Sequence, residues 1–279
     1  MLFQPFPQST AYAQAAAACG ARVFRADLGI GQALVVQRGR MRLISRGPVW
    51  EEGSTATARR IALRRFARWP GVTLATPEEG LAGFGLIPLV TPTTHAIWDL
   101  AGDPRQRLDR KWRNHLSAVE RSGATMLRDQ PGALARLVTN GTAQRGQRGY
   151  RTLTPGFKDA LRLWEWQTAG KVSAAMCFVR HGTTASYHMA WGNDAARRAQ
   201  VHTLMLWQAA MALRDEGVRW LDLGSINTEE APGLARFKLG TGAAVKPLGA
   251  TLLVLPWAGA RGRVAASGGD DRGGGRWFR

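Results

Sequence analysis

Two of the chain's few lysines, Lys238 and Lys246, bracket the glycine-bearing run Gly240-Thr241-Gly242 within "LARFKLGTGAAVKP" (234–247). An ammonium beside a flexible, glycine-containing turn suits a phosphate or carboxylate of a substrate. A solubilising surface loop uses the same residues, because lysines are mostly exposed. Just upstream, "RWLDLGSINTEEAPG" runs as a strand and breaks into polar residues, gathering Asp222, Ser225, Asn227, Glu229 and Glu230 at one strand end. Asp222 can take a proton or orient an amine, or it can bond local backbone. Glu229 and Glu230 are either bases or a solvated turn. In "ASYHMAWGN" (185–193), His188 is either a base near neutral pH or a hydrogen-bonded core histidine. Its neighbours Tyr187 and Trp191 suit a pocket wall or plain packing. In "RRAQVHT" (197–203), Arg197 and Arg198 precede a helix whose first amides favour a phosphate. Ser225 sits in no G-x-S-x-G elbow, and no convincing nucleophile stands out. Cys19 and Cys177 are the only cysteines, which excludes a disulfide framework and zinc-site spacing. Cys177, within "VSAAMCFVR", reads as packing in a buried strand, and no metal is expected.

The elements that must position these groups are legible from periodicity. "ARVFRADLG" (21–29), "QALVVQRG" (32–39) and "RMRLISRG" (40–47) read as strands, with a hairpin turn at Gly39-Arg40. Residues 54–71 read as a helix with Ser54 as N-cap and Pro70-Gly71 as its stop. "GVTLATPEEG" and "HAIWDL" read as strands. A helix is expected from about Pro104, with Leu108, Trp112, Leu116 and Val119 on one face and Arg107, Arg110, Lys111, Arg113 and Arg121 on the other. That second face is a solvated surface or an anion-facing one. "PGALARLVTNGTAQRG" and "TPGFKDALRLWEWQTAG" read as helices. Residues 171–193 read as two antiparallel strands joined at His181-Gly182. The helix over 199–217 carries the core stripe Val201, Leu204, Met205, Ala209, Ala212 and Leu213, and Gly217 ends it. Strands "VRWLDLG" (218–224) and "GATLLVLP" (249–256) follow. The tail from Ala258, rich in Gly and Arg, is expected to be disordered and to touch anions weakly.

At 279 residues the chain can bury one large core or two small ones. The net charge of +18 favours anionic partners: nucleic acid, a membrane surface or phosphorylated small molecules. Arginine supplies nearly all of it, so a compositional bias would produce the same number. The N-terminus lacks a basic start followed by an apolar run, and no stretch of about 18 apolar residues exists. The expectation is a cytoplasmic protein without a membrane span.

Strand, strand, long helix, strand and cationic turn, in that order over 171–256, resemble the acyltransferase half of the GNAT superfamily. The closer resemblance is to its FemAB-like branch, also described as BioF2-like acetyltransferases. It is carried by "KWRNHLSAVERSG" (111–123), "ASYHMAWGN", "LMLWQAAMALRDEGVRWLDLGS" (204–225), "GLARFKLGTGAAVKPLG" (233–249) and the opening "PQSTAYAQAAAACG". The resemblance implies an α/β (α+β) fold of tandem GNAT-like lobes, with mixed, mostly antiparallel sheets flanked by helices. The expected division is a degenerate first lobe over 1–129 including the basic helix, an acyltransferase lobe over 130–257, and the tail 258–279. It also implies transfer of an acyl group to a small-molecule or peptide amine, from acyl-CoA or, in FemAB-type members, from aminoacyl-tRNA. The family pattern carries a basic residue at Lys238. The usual pyrophosphate loop, Q/R-x-x-G-x-G/A, has no counterpart in the glycine-free "RRAQVHT".

Amide formation needs a neutral amine, a carbonyl held beside it and a stabilised oxyanion. Parted central strands would offer the amides of "SYHMAW" to that carbonyl, with no nucleophilic side chain required. On this reading Asp222 and His188 are the catalytic candidates. Lys238, Tyr187, Trp191, Arg197, Arg198, Ser225 and Asn227 are the binding candidates. The alternatives are an aminoacyl-tRNA-dependent transferase and a non-catalytic nucleic-acid or anion-binding protein on the same fold. The acceptor and the oligomeric state are left open.

Overall fold

The computed structural model describes residues 3–145 and 158–257. After a 3₁₀ turn at Phe6–Gln8, the first part of the chain carries helix α1 (Thr10–Ala18), strands β1 (Arg22–Asp27), β2 (Gly31–Arg38), β3 (Met41–Ile44) and β4 (Val49–Trp50), helix α2 (Ala56–Phe66), and strands β5 (Val72–Ala75) and β6 (Leu86–Val90). Then come β7 (Thr94–Asp99), α3 (Arg110–Arg121), β8 (Met126–Arg128), α4 (Ala133–Arg145), β9 (Leu161–Thr168), β10 (Lys171–His181) and β11 (Thr184–Gly192). The chain continues through α5 (Asp194–Arg198), α6 (Val201–Asp215), β12 (Trp220–Ile226), α7 (Pro232–Leu239), β13 (Ala244–Pro247) and β14 (Thr251–Val254). No helix among the described residues is long and apolar enough to cross a membrane.

Two seven-stranded sheets organise these elements. One runs β1-β2-β3-β5-β14-β6, with β4 added on β2; the other runs β13-β7-β12-β11-β10-β9-β8. Pairing is antiparallel except at β3/β5 and β11/β12. The fold is therefore the mixed α/β arrangement expected, but the chain does not change sheets at 129/130. It passes to the second sheet between β6 and β7 and returns to the first through β14. The two crossings are bonded to each other, Leu248 N–H donating to the Thr93 carbonyl at 2.8 Å. The tail lies outside the described residues.

The second sheet has two packed faces. Trp98, Leu116, Phe178, Leu206, Leu213 and Leu221 belong to the core under α3 and α6; Ala15, Leu137, Cys177, Val179 and Met189 form another on the opposite face. The expected stripe of α3 is buried at Leu108, Trp112, Leu116 and Val119, and that of α6 at Val201, Leu204, Met205, Ala209 and Leu213. The helix itself starts at Arg110, where the Asp109 carboxylate accepts from Lys111 N–H at 2.8 Å, not near Pro104. Helix α2 is capped by Thr55, which accepts from Ala58 N–H, while Ser54 donates to the Glu51 carbonyl. It ends at Phe66, before Pro70.

The segment read as a helix over 154–170 is in its described part the strand β9. A turn at Ala169 and Gly170, both with positive φ, hairpins it onto β10. Leu161 and Leu163 enter one core and Trp164 and Trp166 the other, so β9 is apolar on both faces and shows no clean alternation. It also buries Glu165, whose carboxylate takes two bonds from the Arg136 guanidinium, at 2.9 and 2.6 Å. Arg136→Ala leaves that carboxylate buried without its cation. The expected loss is about 3 kcal/mol in urea unfolding, whereas an Arg136→Met/Glu165→Leu double variant stays near wild type; equal losses in both would contradict the pairing.

Candidate active site

β11 and β12 are joined by only three residue pairs, Thr184–Trp220, Ala185–Leu221 and Ser186–Asp222. Beyond them each strand bulges on its far side. Along β11, Cys177 faces Met189 and Phe178 faces Tyr187, so His188 is an extra residue against β10. Along β12, Asp222 faces Ile97 but Ser225 faces His95, so one residue between them is extra against β7. Gly224 takes the left-handed conformation this requires, φ +79°. Bulges bend strands and increase twist. Here they bend neighbouring strands at one level, and a gap opens between 187–192 and 223–226.

Side-chain alternation sorts the site onto two faces of the sheet. Ala96, Trp98, Leu221, Leu223 and Tyr187 pack into the α3/α6 core. Lys238 reaches the gap from that side: it is buried in the last turn of α7, its Nζ donates to the Ser225 carbonyl at 2.7 Å and lies 5.9 Å from the centre of the Tyr187 ring. The run 234–247 is thus the end of α7 (to Leu239), a short turn at 240–243 and strand β13. Its glycines make room for protein: a Cβ on Gly240 would meet Trp112 Cδ1 at 2.6 Å, and one on Gly242 the Arg107 carbonyl oxygen at 2.4 Å. Lys246 pairs with Glu78 at 2.6 Å.

On the same side lies a cavity of about 520 Å³ between α3, α7 and the first turn of α6. Lys111, His115 and Arg236 supply basic groups, Trp112 and Phe237 an aromatic wall, and Thr203 the contact with α6. Residues 233, 236, 237 and 240 line it at helical spacing, while Lys238 points away from it into the gap. The stretch 197–203 holds the end of α5, a turn at 199–200 and the first residues of α6. Asn193 caps α5 by accepting from Ala196 N–H, and Arg197 pairs with Asp194. Arg198 is exposed, so these two arginines are not gathered at the gap.

The opposite face holds a charge network between the two sheets. Asp222, buried, accepts from Arg46 on Oδ2, and from His95 Nδ1 at 3.1 Å and Gly224 N–H at 2.8 Å on Oδ1. Arg46 also donates to Glu78 at 2.5 Å, and Glu78 accepts from Lys246. Burial alone would raise the Asp222 pKa, but the His95 hydrogen bond and the Arg46 charge hold it well below the usual carboxylate range. Asp222 is therefore a fixed anion that orients its partners. His181 Nε2 meets Ser186 Oγ at 3.0 Å, and burial brings His181 down to about 4, with Asp222 opposing and Arg46 assisting. His188 lies against Phe6, ring centres 6.5 Å apart, and burial likewise lowers it to about 4.

Of the expected site residues, Lys238, Tyr187 and the Ser225 backbone meet at the gap, with Asp222 at its apex. Trp191 packs into the opposite core from Tyr187, so the two do not share a pocket wall. Asn227 accepts from Glu229 and Glu230 N–H, and its amide donates to the Glu230 carboxylate, which makes it a turn-former. His95, Arg46 and the cavity residues His115 and Thr203 were not anticipated. The signal for His95 was its alternation with Ala96 and Trp98; its partner lies 127 positions away.

Residues 105–242 match the family model described as an acetyltransferase (GNAT) domain. Among solved structures, the chain is similar to FemX, at a TM-score of 0.70 and 13% identity over 90% of this chain and 92% of that one. It is also similar to L-PGS from Bacillus licheniformis, at 0.55 and 13% identity over 84% of each. A search of the curated proteins found no match.

Because burial lowers His181 and His188 to about 4, and lowers His202 as well, the unfolded chain takes up protons below pH 6.5 that the folded chain refuses until lower pH. Stability is therefore full above pH 6.5 and falls between 6.5 and 4. The contribution of Asp222, present above 3.8, is lost only as pH falls further. Urea midpoints measured from pH 7.5 to 4.5 should decline, and His188→Leu should decline less steeply; parallel curves would contradict the assignment.

Proposed function

We propose that this chain is an acyltransferase of the GNAT superfamily, FemAB-like branch, and that it moves an acyl group from a phosphate-bearing donor of the acyl-CoA class onto the amine of a small molecule or peptide. The match of residues 105–242 to the GNAT acetyltransferase-domain model and the likeness of the fold to FemX support this reading. The parted strands carry this reading. Past Ser186, β11 has no ladder partner on its β12 side, so its backbone groups there can meet a ligand carbonyl. Lys238 brings a buried cation to the same opening, where negative charge develops on the carbonyl oxygen during transfer. Direct attack by the amine needs no nucleophilic side chain. The donor's phosphates belong in the cavity with Lys111, His115 and Arg236, and its base against Trp112. A donor of this class places the reaction in the cytoplasm.

A second reading, transfer from aminoacyl-tRNA, is favoured by the glycine-free stretch 197–203 before α6 and by the exposed Arg110, Arg113 and Arg121 of α3. Thermal shift separates the readings, because a bound donor raises the melting temperature by mass action. Acetyl-CoA or a longer acyl-CoA should raise it and be used as donor; a shift with charged tRNA alone selects the second reading. RNA binding that collapses with salt, without transfer from any donor, would leave only an anion-binding protein. Lys238→Met should lower kcat by roughly 10²-fold or more with donor KM little changed, and Lys111→Ala should raise donor KM; unchanged kcat in Lys238→Met would refute the assigned role.

A further inference from the structure

The chain has five histidines, and four of them are committed elsewhere. His115 lines the cavity on the α3/α6 side of the sheet. His202 Nε2 is hydrogen-bonded to the Trp191 carbonyl at 3.3 Å, His181 Nε2 to Ser186, and His188 lies against Phe6. His95 differs from all of them. Ala96 and Trp98 beside it in β7 point into the α3/α6 core, so His95 points to the other face, as does Asp222 between Leu221 and Leu223. Asp222 is an acceptor only, so His95 Nδ1–H donates to it, which fixes the tautomer and leaves Nε2 with an open lone pair. Among the described residues Nε2 makes no hydrogen bond, and it is not among the buried unsatisfied atoms.

We propose that His95 is the general base of the acyl transfer, receiving at Nε2 the proton of the acceptor amine, and that Asp222 and Arg46 are the positioning residues behind it. This rests on the acyltransferase reading. Donor and acceptor then reach the gap from opposite faces of the sheet, the donor past Lys238 and the acceptor past His95. For a thioester donor, the amine nitrogen forms its bond to the carbonyl carbon and the carbon–sulfur bond breaks, its electron pair leaving on sulfur. Nε2 takes the proton shed by nitrogen, and the thiolate takes one from solvent, so protons balance. Asp222 on β12, Lys246 directly across on β13, and Arg46 and Glu78 from loops of the first sheet are the charged groups facing His95. Two of these groups are cations and two are anions. Arg46 comes from the first sheet, from a backbone position with φ +47°, so the first lobe helps to build a site whose other parts lie on the second.

His95→Asn keeps a donor for Asp222 and removes the base. Its kcat should fall about 10²- to 10⁴-fold with donor KM unchanged, lose the acid limb of the wild-type pH profile, and recover in part with added imidazole. Arg46→Met should lower kcat at unchanged donor KM, and Arg46→Lys should restore part of it. Donor thermal shift confirms that each variant is folded. Nitrogen-15 spectra of the wild type at pH 8 should show His95 protonated at Nδ1 and bare at Nε2. Undiminished turnover in His95→Asn, a loss that imidazole does not touch, or the opposite tautomer would overturn the assignment. A wild-type protein inactive with every donor and amine would instead sink the acyltransferase reading itself.

Discussion

Hydrogen bonding between β11 and β12 stops at Ser186 and Asp222, and most of the molecule is arranged around that stop. A backbone donor or acceptor without a partner costs free energy unless water or a ligand meets it. Each strand keeps its other neighbour, β10 for β11 and β7 for β12, so neither is lost from the sheet. What they lose is each other, because each carries an extra residue at the same level. The opening is therefore part of the covalent register and not a side-chain rotamer that could swing shut.

The two faces of this opening differ in chemistry. On one, α7 and α3 place an aromatic wall and basic side chains beside the buried ammonium of Lys238. On the other, Asp222 is locked between Arg46 and His95. Breaking one partner of such a buried ion network leaves an uncompensated charge. The network spans the two sheets, and the bonded crossings at Thr93 and Leu248 hold those sheets in register.

Much of this was legible in the sequence, because periodicity reports local structure. The 171–193 hairpin, the long helix α6 and the strand that carries Asp222 follow from spacing alone. What failed did so for identifiable reasons. β9 puts Leu161 and Leu163 on one face and Trp164 and Trp166 on the other, so it lacks the single alternating face of a half-buried strand. Lysine is usually exposed, so the burial of Lys238 in a helix's last turn runs against the ordinary expectation. The glycines of 240–242 looked like room for a ligand, and they are room for Trp112 and the Arg107 backbone. Arg46, 176 positions from Asp222, and His95, 127 positions from it, meet only because two sheets come together, and no local pattern reports that.

Amide hydrogen exchange with and without saturating acetyl-CoA tests the parted strands most directly. If the gap is the donor site, amides within 187–192 slow on binding while those of β1, β2 and β3 keep their rates. Saturated binding that leaves 187–192 exchanging as before, with protection elsewhere in the chain, would contradict the account.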